Sequence, residues 1–428
     1  MTSYQLIATI ITLALFFGYI NHRFIRLQTT IAMMIGSLLL AAVLTISSHS
    51  KVINPWFTAI SNLTDTIDFN SLLLHGMLGL LLFAGAMAID LEQLKKQKAM
   101  VFTLASVGTI ASTVLVATLT WYLLKALHIP FPYIYACLFG ALISPTDPIA
   151  VLNTFKRIKA PKSLTACVAG ESLFNDGVGI VIFLTLYDIA SPLTATQELS
   201  LVKISVIFLQ EAMGGLAFGY LISRACIWLI RPIKDINMII LITLAITTGG
   251  YTFANTIGFS GPLAMVVCGI MIGSSLRSKE KLHPTVALFW ELIDEILNVI
   301  LFLLLGFDIL SIHFNTTWIL ASLLIIPLVL LVRLFTVSVP LKLFQSKKRG
   351  KKQPWMIAIL TWGGLRGGLA VALALSTPPS PYRDLILSLT YAVVIFSVII
   401  QGITISPLAK AASKAEAEAV NEAHASKT

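Results

Sequence analysis

Residues 140–152 read GALISPTDPIAVL and residues 166–179 read ACVAGESLFNDGVG. Each is an apolar stretch with polar groups at its middle. The first carries Ser144, Pro145, Thr146, Asp147 and Pro148, and the second carries Glu171, Ser172, Asn175 and Asp176. What such interruptions mean depends on the medium around them, which the rest of the chain identifies.

The chain has 428 residues, of which 57% are hydrophobic and only 12% charged, where about 25% charged is usual for a soluble domain. Apolar runs of roughly 20 residues, enough to cross a hydrocarbon core of about 30 Å, follow one another almost to the C-terminus. We read them as thirteen spans, at 4–20, 29–47, 72–89, 99–124, 133–153, 163–186, 202–230, 237–256, 260–275, 285–307, 317–343, 354–376 and 384–409. The fold expected is an all-α polytopic membrane protein. Residues 1–20 lack a basic n-region and a small-residue cleavage site, so the first span is expected to be retained. Residues 1–410 form the membrane domain on this reading, and residues 411–428 a short helix-prone tail.

A net charge of +10 would suggest a nucleic-acid partner in a soluble protein. Here the charges sort by loop instead. One set of alternate loops holds Arg23 and Arg26, Lys95, Lys96 and Lys98, Lys156 to Lys162, Arg231 and Lys234, and the run around Lys348. The opposite loops hold only Lys51, Lys125 and Arg383. Cytoplasmic loops carry the positive excess, so the N-terminus is expected outside and the tail inside, in the cell inner membrane, with no nucleic acid. Cys137, Cys167, Cys226 and Cys268 sit inside spans without ligand spacing, which favours apolar packing. Triplets at Asn62 and Asn315 match glycosylation sequons and carry no weight.

Within this frame the polar interruptions become informative, because a charge at mid-bilayer normally faces a cavity or a partner. Asp147 lies roughly 21 Å into span 5 at 1.5 Å per residue. Pro145 and Pro148 each remove an amide donor and disfavour helix in the residue before. Span 5 is therefore expected to unwind, which hydrocarbon tolerates only against protein or a wet cavity; a simple proline kink is the plainer alternative. In span 6, Ser172 stacks with Asp176 and Glu171 with Asn175, each pair four residues apart. Carboxylate, hydroxyl and freed carbonyls suit a hard cation. A single Asp176 then holds either a proton or a metal ion, which is the basis of antiport; the alternative is a structural hydrogen-bond partner.

Glu171 is offset from Asp176 by about 140° at 100° per residue, so it need not face the ion. Neutralisation by Arg333 in span 11 is expected, unless Arg333 snorkels to headgroups. Arg366 sits in GGLRGG of span 12, whose glycines favour a second discontinuous helix. Spans 5 and 12 are seven apart, the spacing of an inverted repeat of spans 1–6 and 8–13. Arg366 would balance Asp147 and the helix-dipole ends of the broken pair. In span 10, Glu291, Asp294, Glu295 and Asn298 form either an entrance funnel or a snorkelling stripe. Gln210, Glu211 and His75 suggest no role.

GALISPTDPIAVL, GESLFNDGVGIV, FWELIDEILNVILFLLLG, GGLRGG and FSVIIQGITISPL together resemble the NhaP-type cation:proton antiporters, relatives of the eukaryotic sodium/proton exchangers. The resemblance implies thirteen helices, crossing breaks in spans 5 and 12, and a homodimer. It divides the domain into a core (99–186 and 317–409) and a dimer scaffold (4–89 and 202–307). Implied Na⁺ ligands are Asp176, Ser172 and the Thr146 carbonyl, with Asp147 at the crossing and Asn175 also in the ion-binding set, and Glu171 bridged to Arg333. Asn175–Asp176 goes with electroneutral one-for-one exchange of Na⁺, or of Li⁺ or K⁺, for H⁺. No cofactor is expected. Where members often carry an acid in span 3, Leu81-Leu82-Phe83 is followed here by Ala84 and Gly85. No P-loop is present, and the GxGD signature of an intramembrane aspartyl protease, the enzymatic alternative for Asp147 and Asp176, is absent. A cation-coupled symporter or a channel stays open at this stage.

Overall fold

A computed structural model of the protein describes residues 3–46, 72–158, 160, 162–190, 201–277, 283–308, 316–347 and 354–411. The sequons' asparagines, the tail beyond residue 411, the His75 side chain and several loop lysines lie outside what is described. Among the described residues every regular element is helical. In chain order these are α1 (Ser3–Ile20), α2 (Thr29–Ile46), α3 (Leu78–Met87), α4 (Leu91–Phe102), α5 (Thr109–Ala126), α6 (Tyr133–Ile143), α7 (Ile149–Ile158) and α8 (Lys162–Ala190). There follow α9 (Leu201–Ile230), α10 (Ile236–Thr256), α11 (Gly261–Arg277), α12 (His283–Asp308), α13 (Thr316–Lys347), α14 (Pro354–Trp362), α15 (Gly368–Leu375) and α16 (Arg383–Phe396).

A helix, or a pair of helices around a break, lies on each apolar segment read from the sequence. Among the described residues eight helices are long and apolar enough to cross a membrane, by length and composition. Large apolar side chains stand exposed on α1 (Leu15, Phe16, Tyr19), α9 (Leu209, Met213, Trp228) and α13 (Leu331, Phe335). So much outward apolar surface calls for hydrocarbon around it. The fold is that of an all-α polytopic membrane protein.

The fourth span begins earlier than its hydropathy suggests. The Asp90 carboxylate caps α4, accepting from the Glu92 amide at 2.9 Å and the Gln93 amide at 3.3 Å. Basic residues of the first turns hide this start from a hydropathy reading, whereas the cap fixes it chemically. A π turn, Thr103–Gly108, then joins α4 to α5.

Two spans are broken. In the fifth, α6 stops at Ile143 and α7 resumes at Ile149, so the unwound segment is SPTDP. In the twelfth, α14 stops at Trp362 and α15 resumes at Gly368, leaving GGLRG extended. The breaks meet in antiparallel sense through one bridge between Asp147 and Leu365. Around this crossing, α8 packs against α6, α7 and α15, while α16 packs against α6, α13 and α15. On the other side α11 lies between α3 and α9, and α12 lies on α2.

Candidate ion-binding site

Unwinding a helix inside a membrane frees amides and carbonyls that lipid cannot satisfy. At the crossing several of the freed groups bond across the two breaks or to a neighbouring side chain. The Asp147 amide donates to the Leu365 carbonyl at 2.8 Å. The Thr146 amide donates to Asn175 Oδ1 at 3.2 Å. Arg366 Nη1 donates to the carbonyls of Ser144 and Pro145, both at 2.9 Å. Asp147 Oδ1 accepts from the Ile149 amide at 2.9 Å, which caps the restarted helix α7.

The guanidinium of Arg366 therefore serves the C-terminal carbonyls of α6, the negative end of its dipole. Among the described residues no ion pair joins it to Asp147. The expected balance of the dipole is seen, while no bond or ion pair between Arg366 and Asp147 is seen among the described residues. Glycines in GGLRGG make the approach possible. A Cβ on Gly367 would collide with the Asp147 carboxylate, and one on Gly364 would meet the Arg333 guanidinium.

On α8 the two pairs separate by function. Glu171, 1% exposed, accepts from Arg333 Nη1 at 2.8 Å and Nη2 at 3.0 Å. This is a two-pronged, charge-assisted pair of the strong kind. Arg333 Nε donates to the Leu360 carbonyl at 3.2 Å, near the end of α14. Asn175 is fully engaged: Nδ2 donates to Glu171 Oε1 and Thr146 Oγ1, both at 2.9 Å, while Oδ1 takes the Thr146 amide. The hydroxyls of Thr146 and Ser172 pair at 3.1 Å.

Asp176 differs. Among the described residues its carboxylate takes part in none of the crossing's hydrogen bonds or ion pairs. It lines a cavity of about 420 Å³ together with Asp147, Pro145 and Gly367. Ser172, Thr146 and Asn175 lie just behind this wall. Glu291, Asp294, Glu295 and Asn298 of α12 also line the cavity, so the span-10 stripe faces inward, as an entrance funnel would require. At its exposed rim Lys156 and Glu291 pair at 2.7 Å. Ala84 and Gly85 form part of the apolar wall. Among the described residues no three His, Cys, Asp or Glu side chains are gathered to hold a tightly bound metal. A lone carboxylate with hydroxyls and carbonyls at hand suits weak, exchangeable binding of a hard cation.

Two residues escaped sequence reasoning. Ser397 and Gln401, in the π turn that follows α16, bond to the backbone of the second break. Their four-residue spacing within FSVIIQGITISPL was the available signal, but nothing in it says which backbone they reach. Gln210 and Glu211 stay apart from the crossing; the Glu211 carbonyl accepts from the Ser260 amide at 3.0 Å.

The Glu171–Arg333 pair generates a stability prediction. Removing one partner of a buried pair costs about 3–5 kcal/mol, because the other charge stays buried. Glu171→Ala or Arg333→Ala should each lower the thermal midpoint of purified protein in detergent strongly. The double variant Glu171→Ala with Arg333→Ala should lose less than the sum of the two. Additive losses in that cycle would show that the two side chains do not act as one unit.

Comparison with known proteins followed the same outline. Residues 10–411 match the family model described as sodium/hydrogen exchanger, transmembrane. The Na⁺/H⁺ antiporter NhaP of Pseudomonas aeruginosa is 39% identical over 412 residues, 95% of this chain and 96% of that protein. The Na⁺/H⁺ antiporter NhaH of Halobacillus dabanensis is 32% identical over 81% of this chain and 85% of its own length. A Bacillus pumilus relative named sodium, potassium, lithium and rubidium/H⁺ antiporter is 30% identical over 78% of this chain and 53% of its own length. In fold, the chain is similar to the sodium proton antiporter MjNhaP1 from Methanocaldococcus jannaschii at pH 8, with TM-score 0.72, 18% identity, and coverage of 95% and 98% of the two chains. A match over nearly the whole membrane domain, with both broken spans inside it, assigns the chain to the sodium/hydrogen exchanger family.

Proposed function

We propose that this protein is a secondary transporter that exchanges Na⁺ for H⁺ across the membrane, with Li⁺ and K⁺ as further candidates. The observation that carries the reading is the condition of Asp176. It reaches the cavity beside the crossed breaks, and its neighbours' hydrogen-bonding groups are engaged with one another. Relatives named as Na⁺/H⁺ antiporters support the same reading.

In this mechanism Asp176 is the shared seat. Ser172, one turn earlier on the same face of α8, and the Thr146 carbonyl complete the coordination as ligands. The 3.1 Å hydroxyl pair of Thr146 and Ser172 opens to admit the cation. Asp147 caps α7 and adds negative potential, Asn175 holds Thr146 to α8, and Arg366 holds the end of α6. Glu171 and Arg333 neutralise each other and stay out of the exchange. Since the cation and the proton share the one carboxylate of Asp176, one proton leaves for each monovalent cation bound. The cycle is electroneutral, and no cofactor takes part.

The surrounding organisation follows from the same reading. Thirteen crossings, an outward N-terminus and a cytoplasmic tail in the inner membrane place the α12 funnel on the basic, cytoplasmic side. Residues 99–186 and 317–409 form the moving core. Residues 4–89 and 202–307 form the scaffold through which two copies pair.

Three measurements test this. In proteoliposomes Asp176→Asn should abolish Na⁺-driven proton movement, with folded protein recovered at a normal thermal midpoint. Sustained exchange in that variant would falsify the mechanism. For the unsubstituted protein, the apparent cation KM should rise roughly tenfold per pH unit below the pKa of Asp176, by mass action of the competing proton. A KM flat across that range rules out shared occupancy. Finally, an imposed potential of about 100 mV acts on each net charge moved with about 2.3 kcal/mol. Exchange should be insensitive to it; a severalfold change in rate would make the cycle electrogenic.

A further inference from the structure

Span 13 reaches back into the second break through two buried side chains. Ser397 is 0% and Gln401 2% exposed, and they lie four residues apart on the π turn Ser397–Gln401, a device frequent at functional sites. The Arg366 amide donates to Ser397 Oγ at 2.8 Å. Ser397 Oγ donates in turn to Gln401 Oε1 at 2.8 Å, and Gln401 Nε2 donates to the Trp362 carbonyl at 2.9 Å.

The direction of this chain is forced. A backbone amide can only donate and a backbone carbonyl can only accept. Ser397 must therefore pass its proton on, and Gln401 must present oxygen to Ser397 and nitrogen to Trp362. No flip of the Gln401 amide satisfies both ends. The two side chains thus hold both lips of one break at once, the last residue of α14 and the residue two before α15.

What they hold matters to the site. Arg366 carries the guanidinium that receives the Ser144 and Pro145 carbonyls of the other break. Its neighbour Leu365 receives the Asp147 amide. A displacement of the Trp362–Arg366 segment would therefore move the carbonyls and the carboxylate of span 5 as well. We infer that Ser397 and Gln401 are positioning residues for cation binding: through the backbone of Trp362 and Arg366 they fix the crossing at which Thr146, Asp147 and Asp176 stand. This rests on the reading of Asp176 as the ion seat.

The helical turn that follows contains the control. Trp362 Nε1 donates to Thr404 Oγ1 at 2.9 Å, which ties the same two helices through side chains without touching the break's backbone. Two readouts separate positioning from mere bracing: apparent Na⁺ KM in proteoliposomes, and amide hydrogen exchange across residues 362–367 in purified protein. Ser397→Ala and Gln401→Leu should each raise KM about fivefold or more, the mark of lost ground-state binding, with faster exchange across the segment. Ser397→Thr, which keeps the hydroxyl, should return KM to within about twofold. Thr404→Val should change neither readout. Combining Ser397→Ala with Gln401→Leu should add little to either alone, because the two form one chain.

Faster exchange with KM unchanged would reduce the pair to a structural brace and overturn the inference. So would a Thr404→Val effect as large as that of Gln401→Leu. If Ser397→Ala or Gln401→Leu yields no folded protein, Gln401→Met carries the test, since it keeps the length of the side chain and has no donor for Trp362. The exchange readout needs no transport, so the strap is judged separately from Asp176. Normal antiport by Asp176→Asn would remove the ion seat while leaving the exchange result standing.

Discussion

The bond from the Asp147 amide to the Leu365 carbonyl, 2.8 Å long, is where two interrupted helices support each other. A backbone group left unpaired in hydrocarbon costs several kcal/mol. One break alone would need a full set of side-chain partners; two breaks laid antiparallel supply part of that set to each other. What remains is met from three neighbouring helices. Asn175 on α8 takes the Thr146 amide, Arg333 on α13 reaches the Leu360 carbonyl, and the turn after α16 holds Trp362 and Arg366. The crossing exists because α8, α13 and α16 converge on it, and their buried polar residues have no other reason to be at that depth.

This accounting separates structural from available chemistry. Glu171, Arg333 and Asn175 are joined in one buried network. Asp147 commits one oxygen to capping α7. Arg366 commits Nη1 to two carbonyls, and its Nε finds no partner among the described residues. A guanidinium held by carbonyls, with no carboxylate clamped to it, contributes positive potential to the crossing without neutralising any one acid. Asp176 makes none of these bonds among the described residues and lines the cavity instead.

Much of this was legible in the chain, for identifiable reasons. Two prolines around Thr146 and Asp147 each remove an amide donor and disfavour helix in the residue before, so the first break could be read without a partner. The 140° offset between Glu171 and Asp176 on one helix separated an acid that pairs from one that lines the cavity. Span 12 was less legible. Its glycines announce close approach, but only the structure says what approaches: the Asp147 carboxylate at Gly367 and the Arg333 guanidinium at Gly364. The reach of Ser397 and Gln401 to Arg366 and Trp362 was hidden altogether. A polar residue in an apolar span can face any of several helices, and side-chain spacing within one helix carries no information about its neighbour. The early start of α4 was missed for the opposite reason, since the Asp90 cap is a local signal that hydropathy does not weigh.

The same logic bears on the absent span-3 acid. Ala84 and Gly85 line the cavity beside Asp176 and opposite no charge of their own, so that wall offers a cation neither ligand nor counter-charge. The acids that do face the cavity from elsewhere, Glu291, Asp294 and Glu295, come from α12 and run out toward the rim, where Glu291 is engaged by Lys156. Negative potential in this cavity is therefore spread along the approach, and only Asp147 and Asp176 bring it to the crossing. A diffuse field attracts any monovalent cation without choosing among radii, whereas choice requires ligands at fixed distances. On the proposed mechanism, discrimination between Na⁺, Li⁺ and K⁺ must then be set by Asp176, Ser172 and the Thr146 carbonyl, and so by how rigidly the two breaks are held together.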